Sequence, residues 1–152
     1  MQPIHLSSDR PWAIDRLGQQ RIEEGAYIWR DMLDAGVMVA SGTDAPVEPV
    51  DPIANFYAAV TRKTLKGVPE DGFEPGQKLS RMEALHAMTL AAAYAGFEEQ
   101  DKGSIEVGKL ADLTVLNQDL ITVPEREILN TEVLLTMIGG EVVYQQEETA
   151  TP

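Results

Sequence analysis

The sequence predicts a mixed α/β fold that gives way to a smaller all-β region near residue 97. In the first part, apolar residues recur at spacings of three and four, which is the period of an amphipathic helix. The short apolar run Val37–Ala40, flanked by glycines, has the composition of a strand buried on both faces of a parallel sheet. After Phe97, turn glycines alternate with β-branched residues, which is typical of strands.

The chain opens with a segment predicted as a strand end and a loop, because Ser-Ser-Asp and Pro11 interrupt it. From Asp15 to about Leu33 the apolar side chains fall on one helical face, so one helix is predicted there. Gly36 then ends it, since glycine is the usual residue just past a helix. The predicted strand Val37–Ala40 follows directly.

Two further helices are indicated by residues that cap helix N-termini. Asp51 can accept a hydrogen bond from the first turn, with Pro52 at the first helical position. Ser80 and Glu83 have the spacing of a capping box, in which each side chain pairs with a free backbone amide of the other residue. The helix that they open is expected to run to about Ala95.

The β region contains two segments with strand character. "GSIEVGKLADLTVLN", residues 103–117, alternates turn glycines with β-branched residues. "TEVLLTMIGGEVVYQQ", residues 131–146, is predicted as two strands joined by Gly139-Gly140 in a two-residue hairpin. The sequence therefore predicts a terminal hairpin in this part of the chain.

The composition excludes several classes of function. A net charge of −13 argues against nucleic acid, whose phosphates need clustered Lys and Arg, and against anionic membranes. The chain contains no cysteine, which excludes disulfides and thiol catalysis. Its apolar stretches are shorter than the about 20 residues of a membrane span, and the start lacks a secretory signal. We therefore expect a soluble cytoplasmic protein without nucleic-acid or membrane partners.

Asp44 is the main candidate for a functional residue. It follows the predicted strand Val37–Ala40, and catalytic groups gather at the carboxyl ends of parallel strands. Gly42 permits an unusual backbone conformation and Pro46 favours an extended Ala45, so that together they can direct the carboxylate inward. The alternative is that Asp44 only shapes the loop, in an Asx turn with its own backbone.

Four segments resemble the amidohydrolase superfamily in order and spacing, and they cover almost the whole chain. Besides residues 103–117, they are "QPIHLSSDRPWAIDRLG" (2–18), "VMVASGTDAPVEPVDP" (37–52) and "LSRMEALHAMTLAAAYA" (79–95). The resemblance is to the YtcJ-like branch, the "amidohydrolase 3" group that includes formamide deformylase-type enzymes.

This resemblance implies the C-terminal fragment of a (β/α)₈ TIM barrel with the C-terminal segment of its small β-sandwich domain. Residues 1–97 would be the last two barrel β/α units, and residues 98–152 the sandwich segment with its hairpin. The family uses one or two divalent metals, usually zinc, to activate a water that hydrolyses carbon–nitrogen bonds other than peptide bonds. Asp44 matches the aspartate after the eighth strand, and the resemblance assigns it roles as metal ligand and catalytic base.

Three further residues are candidates for substrate contacts, each with a structural alternative. The resemblance places His5 at the mouth of the active site, where it can contact substrate or metal, but a lone histidine is often only a hydrogen-bonded structural residue. Glu48 can shape the pocket beside Asp44, and Trp12 can form its wall or simply pack against a neighbour. His86, in the middle of a predicted helix, is interpreted as a surface or packing residue and not as a ligand.

The sequence departs from the family because most of its metal ligands are missing. The His-x-His pair of the first strand, the bridging Lys or Glu and the two later histidines are absent, and a barrel needs at least about 200 residues. One hypothesis is therefore an enzyme that acts on a small-molecule substrate once an N-terminal partner chain or segment supplies these ligands. The alternative is a non-catalytic assembly module, inactive alone, without tightly bound metal and prone to self-association.

Overall fold

The computed structural model describes residues 1–147, which contain seven α-helices and three strands. The helices are α1 (His5–Ser8), α2 (Arg10–Leu17), α3 (Gln19–Gly25), α4 (Trp29–Asp34), α5 (Pro52–Thr61), α6 (Arg81–Met88) and α7 (Leu90–Ala95). The strands are β1 (Leu113–Leu116), β2 (Val133–Ile138) and β3 (Glu141–Gln145), and 3₁₀ turns occupy Pro75–Gln77 and Glu125–Asn130. Among the helices described, none has both the length and the hydropathy of a membrane span.

The prediction for the N-terminal part was wrong in two respects. The opening residues form the helices α1 and α2 rather than a strand end and a loop. The predicted helix 15–33 is divided among α2, α3 and α4. Gly18 adopts φ 79° and ψ 156° between α2 and α3, and Ala26 is extended after α3. The spacing of apolar residues survives these breaks because short helices in succession can each present an apolar face to the same core.

The predicted strand Val37–Ala40 is also wrong, because this segment belongs to none of the strands in residues 1–147. Val39 is 6% exposed, but Val37 and Met38 are 45% and 50% exposed. The Met1 nitrogen donates to the Ala40 oxygen at 2.6 Å, and the Gly42 nitrogen donates to the Met1 oxygen at 3.1 Å. Together these two bonds have the pattern of one parallel bridge, although neither segment is assigned as a strand. A strand buried on both faces needs a longer ladder and covering helices, which the described residues do not provide.

Both predicted helix caps are confirmed. The Asp51 carboxylate accepts a hydrogen bond from the Ala54 nitrogen at 2.9 Å, at the start of α5. Ser80 and Glu83 form the complete capping box of α6. The helix that was expected to continue to about Ala95 is interrupted at Thr89, whose φ of −120° and ψ of −92° separate α6 from α7.

An ion pair connects α4 to α6. The Arg30 Nη1 atom lies 2.6 Å from the Glu83 Oε1 atom. The hydrogen bond from this guanidinium, helped by the bonds from Ser80, lowers the pKa of the Glu83 carboxyl to about 2. Glu83 therefore has a tertiary contact in addition to its role in the capping box.

Helix α5 lies at the centre of the hydrophobic core, since most of its side chains are buried on all sides. It packs against α6 and against the 3₁₀ turn Glu125–Asn130. The core residues around it include Leu6, Trp29, Ile53, Phe56, Tyr57, Leu79, Ala84, Leu120 and Ile128. Segments from both parts of the chain contribute to this cluster and pack around α5. Because close packing of this kind restricts movement, α5 is a rigid support for the loops that contact it.

The C-cap of α5 is a fully buried arginine. Arg62 has φ 57° and a side-chain exposure of 0%. Its guanidinium donates to the Phe73 oxygen, donates to the Tyr27 oxygen at 2.7 Å, and lies 3.4 Å from Glu74 Oε2. Burial lowers the pKa of Arg62 to about 10, so the side chain is still charged at neutral pH. The sequence analysis did not identify this residue.

The three strands form one antiparallel sheet in the order β1-β2-β3. Gly139 and Gly140 connect β2 to β3, which confirms the predicted hairpin. Every residue of β3 is exposed, so this strand is an open edge of the sheet. The last five residues of the predicted segment 98–152 lie outside the described residues, and the assignment of this segment to a β-sandwich stays a prediction.

Candidate active site

The structure brings His5 and Asp44 together. His5 is the first residue of α1, and Asp44 lies in the loop that follows residues 37–40. The His5 Nε2 atom is 3.9 Å from the Asp44 Oδ2 atom. We call residues 1–8 the His5 segment and residues 40–48 the Asp44 loop. The approach of these two segments creates the candidate site.

Asp44 has a backbone conformation that is uncommon for a residue with a side chain. Its φ is 60°, in the left-handed region where aspartate is one of the better tolerated residues. The Asp44 oxygen accepts a hydrogen bond from the Val47 nitrogen at 2.8 Å, which closes a tight turn. Within residues 1–147 the carboxylate itself accepts no backbone hydrogen bond, so the Asx turn considered from the sequence is not formed. The side chain is 51% exposed and points toward His5.

His5 is more enclosed than Asp44, with a side-chain exposure of 19%. Its Nε2 atom is buried and has no hydrogen-bond partner in the described part of the chain. A separation of 3.9 Å from the carboxylate is too long for a hydrogen bond. Two ligands of one tetrahedral zinc ion, each at about 2.0–2.2 Å, lie about 3.3–3.6 Å apart. The pair thus has donor types that fit one divalent cation, at a separation a few tenths of an ångström above that spacing.

The described residues do not complete a metal site around this pair. No group of three or more His, Cys, Asp or Glu side chains within residues 1–147 is arranged to hold a metal ion. Catalytic zinc usually has three protein ligands. His5 and Asp44 therefore fit a part of such a ligand set.

Among the other predicted site residues, Glu48 also lies where the His5 segment and the Asp44 loop meet. The Ser8 hydroxyl donates to the Glu48 carboxylate, which links the end of the His5 segment to the end of the Asp44 loop. Trp12 lies on α2, is 49% exposed, and has the Arg16 guanidinium 5.3 Å from its ring centre. His86 is exposed on α6, so of its two predicted placements, surface or packing, the structure shows the first.

Sequence reasoning missed Asn55, a buried amide beside the candidate site. Asn55 is 3% exposed. Its Oδ1 atom accepts from the Ile4 nitrogen at 3.0 Å, and its Nδ2 atom donates to the Ser41 hydroxyl at 3.0 Å. The sequence feature that could have identified Asn55 is its position as a polar residue within the apolar run of α5, "PIANFYAAV". A buried polar side chain in such a position needs partners, and here they come from both site segments.

Comparison with known proteins connects these features to a family. The profile of the amidohydrolase family matches residues 1–144. YtcJ of Bacillus subtilis (strain 168), which is named as an amidohydrolase, is 34% identical over 146 residues, or 96% of this chain and 27% of YtcJ. The N-substituted formamide deformylase of Arthrobacter pascens is 36% identical over 117 residues, or 77% of this chain and 21% of the deformylase.

A solved structure agrees with the sequence relatives. The crystal structure of a metal-dependent hydrolase from Pyrococcus horikoshii OT3 superposes with a TM-score of 0.70 at 30% identity. The match covers 82% of this chain and 25% of the hydrolase. The chain thus spans about a quarter of the length of the proteins that it resembles.

Proposed function

This chain belongs to the amidohydrolase family, in the branch that includes YtcJ, and on that premise we propose that it is the C-terminal part of a metal-dependent amidohydrolase. The proposed reaction is hydrolysis of a carbon–nitrogen bond, other than a peptide bond, in a small molecule. The observation that carries the proposal is the His5–Asp44 pair, 3.9 Å apart, with an unpartnered imidazole nitrogen. Names of relatives such as the formamide deformylase support the bond type.

In this proposal, residues 1–97 are the last two units of a (β/α)₈ barrel. The parallel bridge between Met1 and the segment Ala40–Gly42 supports it, because neighbouring barrel strands are parallel. Residues 98–152 are the segment of a small β-sandwich domain, which the antiparallel sheet of β1, β2 and β3 supports. The remaining metal ligands then come from outside these 152 residues.

His5 and Asp44 are the residues of this chain that would hold a divalent metal, which we propose to be zinc. A bound metal of this kind supplies the polarisation that makes water nucleophilic at neutral pH. The Asp44 carboxylate, half-exposed and free of backbone donors within residues 1–147, takes the proton from the attacking water. As the carbon–nitrogen bond breaks, the same carboxyl returns the proton to the departing nitrogen.

The substrate is expected to lie against the surface formed where the two site segments meet. We propose that Glu48 and Trp12, besides His5, contact it. The Glu48 carboxylate accepts a hydrogen bond from the Ser8 hydroxyl, which places it where the two site segments meet. Trp12 offers an accessible aromatic face on α2.

The Asp44→Asn substitution tests the enzyme proposal in the complete protein. Hydrolysis of N-substituted formamides should fall by at least about 10²-fold, because the base is lost. The matched control is Asp51→Asn, which removes a nearby charge but keeps a good helix cap, and should retain activity. Metal content is measured by mass spectrometry on chelator-free protein in parallel. Undiminished hydrolysis by Asp44→Asn would contradict the role of Asp44.

A second candidate function is a non-catalytic assembly module. It is favoured by one observation, the lack of a three-ligand group among the described residues. On this proposal the 152-residue chain binds no stoichiometric metal, hydrolyses nothing and associates with itself or with an N-terminal partner chain. A hydrolysis rate of the isolated chain that is abolished by chelation would exclude it.

A further inference from the structure

Asn55 is a buried side chain whose two polar atoms are divided between the two segments of the candidate site. Its carbonyl oxygen accepts from the Ile4 nitrogen, which precedes His5 directly. Its amide nitrogen donates to the Ser41 hydroxyl, three residues before Asp44. Both bonds are 3.0 Å long, and the residue is 3% exposed. One planar group therefore links the backbone of the His5 segment to a side chain of the Asp44 loop.

The position of Asn55 is itself fixed by α5. The Asp51 cap defines where this helix begins, and the Asn55 nitrogen donates to the Asp51 oxygen at 3.2 Å. Its neighbours Ala54 and Phe56 are 4% and 2% exposed. A side chain in such a packed environment has few rotamers available. Asn55 thus gives the His5 segment and the Asp44 loop a fixed point of attachment to the core.

Other contacts between the segments are less suited to orienting the pair. The backbone bridge through Met1 lies at the far end of the His5 segment from α1. The Ser8–Glu48 hydrogen bond is exposed to solvent, where a bond of this kind contributes little to order. The bond of Asn55 to Ile4 is buried and its bond to Ser41 is partly buried, and the two flank His5 and Asp44 closely in the chain.

We propose that Asn55 is a positioning residue that holds the His5 imidazole against the Asp44 carboxylate. The inference deepens the proposed function, because it names the residue that orients the same pair. Loss of the amide leaves the Ile4 nitrogen and the Ser41 hydroxyl without their shared partner, so the two segments can move apart. Neither bond requires a bound metal or substrate, and the proposal can be tested on the chain alone.

The experiment uses the rings of the only two histidines in the sequence, His5 and His86. In ¹⁵N-labelled protein at fixed pH, the ring signals are recorded with and without Asp44→Asn. We expect Asp44→Asn to shift the His5 signals and to leave those of His86, exposed on α6, unchanged. In an Asn55→Ala background, Asp44→Asn should shift the His5 signals much less than in the wild type. The difference between the two shifts is the coupling that this double-mutant cycle measures.

Two further variants separate positioning from general destabilisation. Thr61→Val removes another fully buried polar group of α5, whose hydroxyl donates to the Tyr57 oxygen at 2.8 Å, and should leave the His5 shift intact. Ser41→Ala removes only the donor bond of Asn55, and it decides the question if Asn55→Ala does not fold. A full His5 shift in a folded Asn55→Ala or Ser41→Ala background overturns the proposal, as does the absence of any shift in the wild-type background. Because no turnover is measured, failure of the proposed function would not produce these results.

Discussion

The guanidinium carbon of Arg62 lies 4.6 Å from the centre of the Trp29 ring, at a site where the arginine side chain is fully buried. The cation ends α5 and the ring begins α4, so the contact connects the central helix to the N-terminal helices. The Tyr27 oxygen accepts from the same guanidinium at 2.7 Å. Arg62 therefore organises the junction between these helices.

Replacing Arg62 with methionine should destabilise the protein by about 3–5 kcal/mol, since one partner of a buried, hydrogen-bonded ion pair is removed. Glu74 and two backbone oxygens would lose their donor. The measurement is urea unfolding followed by circular dichroism. Arg126→Met is the control, because Arg126 is 85% exposed and should cost less than about 0.5 kcal/mol. Equal midpoints for the two variants would contradict the role of Arg62.

Substitution of Gly72 by alanine should destabilise the fold by at least about 2 kcal/mol. Gly72 has φ +81°, and an added Cβ would lie 2.2 Å from the Thr61 oxygen, which belongs to the last turn of α5. The matched variant is Gly76→Ala, where nothing lies within 4 Å of the added carbon. Thermal unfolding of both proteins checks this, and a Gly72→Ala protein as stable as Gly76→Ala would disprove the close approach.

The Arg30–Glu83 pair predicts how stability changes in acid. The pKa of Glu83 is lowered from an ordinary value of 4.5 to about 2 in the folded protein. Its contribution is therefore fully present above pH 4.5 and is lost as the pH falls toward about 2. The Glu83→Gln variant keeps the capping box but lacks the charge. Its stability deficit should shrink across this pH range in urea unfolding experiments.

Arg30→Met provides the control for the acid prediction. The hydrogen bond from Arg30 is the largest cause of the low pKa of Glu83. In the Arg30→Met background, Glu83→Gln should therefore change the pH dependence much less than in the wild type. The interpretation would be wrong if the two backgrounds gave the same pH-dependent deficit.

The exposed part of residues 37–40 predicts self-association of the isolated chain. Val37 and Met38 are 45% and 50% exposed, and their segment lies outside the sheet that the described residues form. Such segments favour pairing with another chain. Met38→Lys should lower the mass measured by light scattering, whereas Met82→Lys, at an exposed site on α6, should not. A dilute wild-type monomer would argue against the prediction.

Elements that depend on neighbouring residues were predicted well. The Asp51 cap, the Ser80–Glu83 capping box and the Gly139-Gly140 turn all formed as expected. Each involves hydrogen bonds between residues a few positions apart, so the necessary information lies in a short stretch of sequence. The predicted helix 15–33 was wrong for a different reason, since the spacing of apolar residues does not show where the chain changes direction.

For the candidate site, too, the sequence identified residues but not the contacts between them. The sequence identified His5, Glu48 and Asp44 as candidates, from their positions in family-like segments and, for Asp44, from the predicted strand before it. It could not show that His5 and Asp44 lie 3.9 Å apart, nor that Asn55 links their segments.

The family, the helix caps, the hairpin and the residue types available for chemistry were all predictable from the order of the amino acids. The structure was needed to show that the predicted strand Val37–Ala40 lies outside the sheet and that Arg62 is buried with its charge. The two groups of features differ in how far apart along the chain the interacting residues lie. Caps and turns are stabilised by contacts within a few residues, whereas burial and side-chain proximity arise when distant segments pack around α5 and exclude water from the groups between them.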